Sequence, residues 1–307
     1  MLNYSIQRLL SAIPTLLILI TVAFFLIRVA PGGPFDSEKA LPPEIQANLE
    51  QSYRLDDPLV LQYLRYLGDI ARFDFGPSFH YRDWTVNQLI AQGAPVSFTL
   101  GAIALLLAFV FGTAIGVWAA LRQNRPADYL TMSVAMIGIS IPNFVIAPLL
   151  VLLFAITLGW LPAGGWDGSL QRMVLPAIAL ALPMIAYVAR ITRGSMIEVL
   201  HSSFIRTARA KGLPEREVIL RHALKPALLP VISYLGPAAA GILTGSVVIE
   251  RIFTIPGIGS HFVQGALNRD YTLVMGVVIF YGVLIIVFNY LVDLIYAWLD
   301  PRIRYEQ

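Results

Sequence analysis

The residues that could carry covalent, metal or phosphate chemistry are few and scattered. His80, His201, His222 and His261 lie far apart and have no metal-ligand spacing. Lys39, Lys211 and Lys225 are the only lysines, and none follows a glycine, so there is no Gly-Lys-Ser/Thr phosphate loop. Gly-x-Ser-x-Gly does not occur, and no cysteine is present to serve as nucleophile, thiolate ligand or disulfide partner. Asp293, at the edge of the last apolar run, is read as an interface residue rather than as a proton relay, which would want a second buried acid or base. The expectation is a chain with no catalytic residue, no metal and no cofactor of its own. Positive charge is what concentrates instead. Arg190–Lys225 holds eight Lys/Arg in 36 residues, between the charge-free runs Met173–Ala189 and Pro226–Ile249.

Within that stretch, Ser202–Lys211 taken as a helix places Phe204, Ile205 and Ala208 on one face, three and four residues apart. Arg206, Arg209 and Lys211 spread over the remaining surface. Gly212 stands where a helix C-terminus wants a residue tolerant of positive φ. Pro214 suits the first turn of a second helix, with Glu215 and Glu217 favourably near its N-terminus. The segment reads as a helix–Gly–helix elbow presenting a small apolar face ringed by cations. Two uses fit that description: docking on a cytoplasmic partner, or attraction to anionic lipid headgroups.

The elements that must hold this elbow are apolar. Hydrophobic residues make up 57% and charged residues 13% of the chain, against ~45–50% and ~25% in soluble domains. An integral membrane protein follows. Runs free of charge and near the ~20 residues needed to cross a bilayer occur at Leu9–Ile27, Val96–Leu121, Leu130–Thr157, Met173–Ala189, Pro226–Ile249 and Tyr271–Val292. Six transmembrane helices, all-α, put both termini on one side. The first run is longer than a signal-peptide core and is followed by a poor cleavage site, Val29-Ala-Pro-Gly-Gly33, so it is read as a retained span.

Basic residues set the orientation. With both termini cytoplasmic, Arg8, Arg122, Arg125, the eight in Arg190–Lys225, Arg302 and Arg304 lie inside, which is 1 + 2 + 8 + 2 = 13 of 22 Lys/Arg. Five of the other nine are diluted through Pro31–Pro95, which also carries nine Asp/Glu. That is the positive-inside pattern. The net charge of +3 is therefore a topological signal, not one for nucleic acid. The chain divides into residues 1–30 (first span), an extracytoplasmic segment 31–95 with short helices, and a five-helix core 96–307 that contains the loop 190–225. In the outer segment Pro42-Pro43-Glu44 could open a helix, and Leu59, Tyr63, Tyr66, Leu67 and Ile70 recur at helical spacing. An amphipathic cap on the membrane and a surface for an extracytoplasmic partner both fit.

The elbow resembles the cytoplasmic signature loop of the membrane subunits of binding-protein-dependent ABC importers, whose general form is Glu-Ala-Ala-x-x-x-Gly followed by Ile-x-Leu-Pro. Here Arg206-Thr207-Ala208 stand at Glu-Ala-Ala and Gly212 at the glycine. His222-Ala-Leu224 stands at Ile-x-Leu, and the Leu-Pro comes later, at Leu229-Pro230. These departures resemble the peptide-importer branch. Arg28-Val-Ala-Pro-Gly-Gly-Pro34, Asp74-Phe-Gly-Pro-Ser78, Arg190-Ile-Thr-Arg-Gly-Ser-Met196 and Glu250-Arg-Ile-Phe-Thr-Ile-Pro-Gly-Ile-Gly259 extend the likeness over almost the whole chain. It is greatest to the B-type membrane subunits of oligopeptide permeases.

The resemblance implies a type I ABC importer membrane-subunit fold in the bacterial inner membrane. It also implies a homologous second permease subunit, two cytoplasmic ATPases that bind ATP and Mg, and an extracytoplasmic peptide-binding protein. Ser203, Phe204, Arg206, Thr207, Ala208, Arg209, Lys211 and Gly212 would then couple to an ATPase, with Phe204 and Ala208 packing and Arg206 and Arg209 making charge-assisted contacts. Glu250, Phe253, Pro256, Gly257 and Gly259 would form an outer gate, the Pro-Gly-Ile-Gly making a tight turn. Asn143, Ser233, Tyr234, Thr244 and Ser246 are uncharged polar groups inside spans. They suit either a broad-specificity peptide path or bonds to neighbouring helices. Pro and Gly within the spans fit moving helices and ordinary membrane composition alike. Related dipeptide or nickel importers share the motifs. An ion-coupled secondary transporter would want buried ionisable groups and an internal repeat, and the sequence offers neither. A non-transporting scaffold would leave the elbow without an ATPase to serve.

Overall fold

The computed structural model describes the backbone of residues 2–29 and 54–299, and the side chains of residues 10–29, 54–242 and 246–294. The expected helix at Pro42-Pro43-Glu44 and the terminal Arg302 and Arg304 lie outside the described residues, as do the side chains of Arg8 and Thr244. Among the described residues the chain is helical, with a single β-bridge between Pro77 and Thr85. In order the helices are α1 (Leu2–Val29), α2 (Leu59–Ala71), α3 (Val86–Ala120), α4 (Pro126–Ser140), α5 (Asn143–Thr157), α6 (Leu170–Leu200), α7 (Ser203–Ala210), α8 (Glu215–Ala227), α9 (Leu229–Gly245), α10 (Val247–Ile252), α11 (Ile258–Leu267) and α12 (Tyr271–Leu299).

Four of these, α1, α3, α6 and α12, are long and apolar enough to cross a membrane. Two of the six expected runs are not straight helices. Leu130–Thr157 breaks into α4 and α5 with a 102° bend, and the run after the elbow breaks into α8 and α9 with a 47° bend. Proline accounts for both. Ile141, before Pro142, takes an extended conformation (φ −88°, ψ 121°), as sterics demand of a residue preceding proline. At the second break Pro230, in the first turn of α9, has no N–H to offer the Pro226 carbonyl.

The chain forms two compact units: Met1–Val96 with Pro256–Ile286, and Ser97–Ile255 with Val287–Gln307. In the first unit Phe24 is fully buried among Phe25, Tyr63 and Tyr66, ring centroids 5.3, 5.3 and 5.7 Å away. The Arg28 guanidinium sits 3.6 Å over the Phe24 ring and donates through Nε to Gln62 at 3.1 Å. So α2 lays its tyrosines on α1. Val60, Leu61 and Leu64 face outward, and Leu59 is half exposed. Val86, Leu89 and Ile90 pack on Ile258, Leu273 and Val277. The Asp74–Ser78 segment is tied down by Asp270, fully buried, which accepts hydrogen bonds from the Ser78 hydroxyl, from the His80 N–H at 3.3 Å and from the Leu273 N–H at 3.1 Å. Asp270 thereby caps α12.

The second unit is organised on α6. Alanine-rich turns bury Leu175, Ala177, Ala179, Leu180, Ala181, Ala186, Val188 and Ala189. Glycines let α3 approach: a methyl at Gly116 would lie 2.5 Å from the Ala189 carbonyl, and one at Gly112 would lie 2.6 Å from Val188 Cβ. A methyl at Gly236 would collide with Val292, whereas one at Gly241 would meet nothing.

Candidate functional site

The elbow is built by the end of α6, by α7 and by α8. Ile205 and Ala208 are buried in a cluster with Ala120, Met196, Val218, Ala223 and Ala227. Apolar burial is what seats α7, since eight residues are too few for a helix to hold itself in water. The C-terminus of α7 is a Schellman motif. The Leu213 N–H reaches the Ala208 carbonyl at 3.4 Å, and the Gly212 N–H reaches the Arg209 carbonyl at 2.9 Å. Gly212 has φ +75°, the left-handed value that a side chain resists, and Leu213 packs against the Ala208 cluster. Arg209 grips Glu215 at the start of α8 through two parallel bonds, Nη2 to Oε1 at 2.6 Å and Nε to Oε2 at 3.1 Å. Glu215 as acceptor pushes the Arg209 pKa above its already high value.

These contacts revise the expected face. Ala208 is not offered to a partner; it and Ile205 are covered by the chain itself. Phe204 alone of the three is exposed, at 48%. Arg209 is occupied by Glu215, while Arg206 and Lys211 have no carboxylate partner among the described residues. Ser203 and Thr207 are also exposed, the Thr207 hydroxyl donating to the Ser203 carbonyl at 3.0 Å. The outward surface is thus one aromatic ring with two uncommitted cations.

Two buried carboxylates lie in this unit, and sequence motifs alone do not mark them. Asp128, at the start of α4, is fully buried and takes both Arg193 Nε and Nη2 at 2.6 Å, plus the Asn124 N–H at 3.0 Å. The pair fastens the start of α4 to α6 about two turns before α6 ends. Glu250, also fully buried, accepts at one oxygen from Ser97 and Ser246, both at 2.7 Å. Ser246 is one helical turn from Glu250, but Arg193 lies 65 residues from Asp128 and Ser97 lies 153 from Glu250, so only tertiary structure brings those two pairs together.

The Glu250–Gly259 region differs from expectation. The tight turn comes earlier: Ile255 N–H bonds the Glu250 carbonyl at 2.8 Å and Thr254 adopts φ +50°. Gly257 is extended (φ −94°, ψ 177°), and Ile258 and Gly259 open α11. Phe253 is buried, and its carbonyl accepts the Gly165 N–H at 2.7 Å. Four of the polar residues named for a path have described side chains, and each has a local setting of its own. Ser233 bonds its own helix at the Leu229 carbonyl, Tyr234 stacks on Tyr187 at 5.7 Å, Ser246 serves Glu250, and Asn143 begins α5.

Residues 112–305 match the profile of the family described as binding-protein-dependent transport system inner membrane component, and residues 1–101 match its N-terminal counterpart. The chain belongs to this family. It is accordingly a multi-pass protein of the bacterial cytoplasmic membrane. It is 61% identical over 306 residues to the oligopeptide transport system permease protein OppB of Salmonella typhimurium, covering 99% of this chain and 100% of the relative. The protein of that name from Haemophilus influenzae is 58% identical over the same span. The dipeptide transport system permease protein DppB of Bacillus subtilis is 49% identical, covering 99% of this chain and 98% of the relative. Among solved structures, the inward-facing MetNI methionine ABC transporter superposes with a TM-score of 0.57 at 17% identity, over 69% of this chain and 97% of that one. An amino acid ABC transporter gives 0.55 at 19%, over 68% and 94%. The fold is therefore that of ABC importer permeases.

Proposed function

We propose that this chain is the membrane subunit of an ABC importer that carries oligopeptides into the cell. It would work by alternating access, driven by ATP hydrolysis in partner subunits. The observation that carries the reading is full-length identity of 58–61% to oligopeptide permeases, against 49% and 41% to dipeptide permeases. Each bent helix pair counts as one span, so there are six, with both termini and the elbow on the cytoplasmic face. The basic-residue distribution supports that orientation. Residues 1–30, 31–95 and 96–307 serve as first span, extracytoplasmic segment and translocating core.

The elbow is the site through which work enters. Phe204 fills an apolar recess of an ATPase, and Arg206 and Lys211 meet acidic groups at its rim. Ile205 and Ala208 fasten α7 to α6 and α8, so a push on the ring moves helices rather than one side chain. The chain needs no catalytic residue and no cofactor; ATP and Mg belong to the two ATPases. A homologous second permease completes the pair, and an extracytoplasmic binding protein delivers peptide. Glu250, Phe253 and the Pro256–Gly259 lead into α11 act at the outer gate. Asn143, Ser233, Tyr234, Thr244 and Ser246 stay candidates for the path.

The test is uptake of labelled tri- to pentapeptides into proteoliposomes holding the assembled complex and its binding protein. ATP-dependent accumulation is expected. Accumulation by this chain alone on a proton or sodium gradient, indifferent to ATP, would overturn the proposal in favour of secondary transport.

A further inference from the structure

Between α3, α4 and α6 runs an apolar groove of 660 Å³, lined by Ile115, Trp118, Leu130, Val134, Leu182 and Ile185 among others. From Leu130 to Gly138 on α4 it extends about 12 Å at the helical rise. Its lining is almost wholly aliphatic, and Trp118, Leu130 and Val134 remain 42%, 68% and 61% exposed. Positive charge collects at one end. Arg122 lies with its guanidinium 4.3 Å over the Trp118 ring, and Arg125 follows at the start of α4. Neither has a carboxylate partner among the described residues. The carboxylate nearest to them in sequence, Asp128 in the first turn of α4, is fully buried on Arg193. Tyr129, 62% exposed, adds an interfacial aromatic at the same end.

An apolar slot between helices, with two arginines at one end that have no carboxylate partner among the described residues, matches one kind of ligand. We infer that the groove binds an anionic phospholipid, an acyl chain lying along α4 and α6 and the headgroup phosphate meeting Arg122 and Arg125. Basic pockets between transmembrane helices hold anionic headgroups in this way, each cation contributing through charge at the membrane surface. The occupant belongs to the cytoplasmic leaflet, a placement that rests on the topology proposed above. The charge preference does not.

The assembled complex is placed in phosphatidylcholine nanodiscs containing a minor fraction of brominated-chain phosphatidylglycerol or, separately, of brominated-chain phosphatidylcholine. Quenching of Trp118 is taken as the difference between the native complex and a Trp118→Phe complex, which removes the other tryptophans from the signal. Both leaflets are identical, so the result does not depend on orientation. Trp118 should be quenched more by the anionic lipid, with an apparent affinity greater by roughly fivefold for each arginine. Arg122→Gln/Arg125→Gln should erase the preference, and Arg122→Lys/Arg125→Lys should keep it. Equal quenching by both lipids would reduce the groove to ordinary lipid contact and overturn the inference. No quenching by either would show another subunit covering the groove, and would overturn it as well.

Discussion

Asp128 and Arg193 show what a single pair does in this chain. The carboxylate is fully buried, and the guanidinium meets it with two parallel bonds of 2.6 Å. Removing the carboxylate strips the partly exposed Arg193 of two charge-assisted hydrogen bonds, so Asp128→Ala should lower stability by about 2 kcal/mol. Asp128→Leu together with Arg193→Met should cost less than the sum of the same two single changes, as read from thermal unfolding in detergent through a double-mutant cycle. Losses that simply add would show that packing, not pairing, matters there. Gly212 is a different kind of residue, chosen for its backbone. At φ +75° a side chain costs about 1–2 kcal/mol, so Gly212→Val should loosen the elbow, detectable as faster proteolysis between α7 and α8. Gly212 was legible because a helix followed by glycine and then proline punctuates the sequence locally. Asp128–Arg193 was not, since 65 residues separate its members and neither stands in a local motif.

At the scale of elements, the elbow converts sequence into a rigid body. Burial of Ile205 and Ala208, the Schellman turn and the Arg209–Glu215 bridge fix α7 against α8 at three points. The bridge is exposed and adds little stability, within about 1 kcal/mol, but its two parallel bonds set an angle. Phe204 is half exposed and stands outside the buried cluster that seats α7. Phe204→Ala should therefore leave the melting temperature unchanged while reducing ATP-driven uptake severalfold. A matching loss of stability would assign the ring to the core instead. Sequence periodicity placed α7, its glycine and the shared face of Phe204, Ile205 and Ala208, but periodicity does not tell which of the three the chain itself covers, and those are Ile205 and Ala208. The hydrophobic runs located the spans, yet their breaks depended on proline. Pro142 and Pro230 bend the chain by 102° and 47°, whereas Pro176 and Pro183 lie inside an unbroken α6. Half of the apolar stretch of α6 is buried inside the chain, where neighbours can satisfy the carbonyls that its prolines free.

For the whole molecule the proposed role is to transmit force from partner subunits to the spans. Its orientation is open to direct labelling, because it has no cysteine. With Lys211→Cys a membrane-impermeant maleimide should react only after the membrane is opened, whereas Arg82→Cys should react in intact cells. The reverse pattern would invert the topology. The central claim is that the elbow passes ATPase work to the spans. The most direct measurement compares ATP hydrolysis and peptide uptake in the same proteoliposomes, native against Phe204→Ala/Arg206→Glu. The account predicts that the variant still inserts and folds, and that its uptake per ATP hydrolysed falls at least severalfold. An unchanged ratio of uptake to hydrolysis, in a complex that remains assembled, would contradict it.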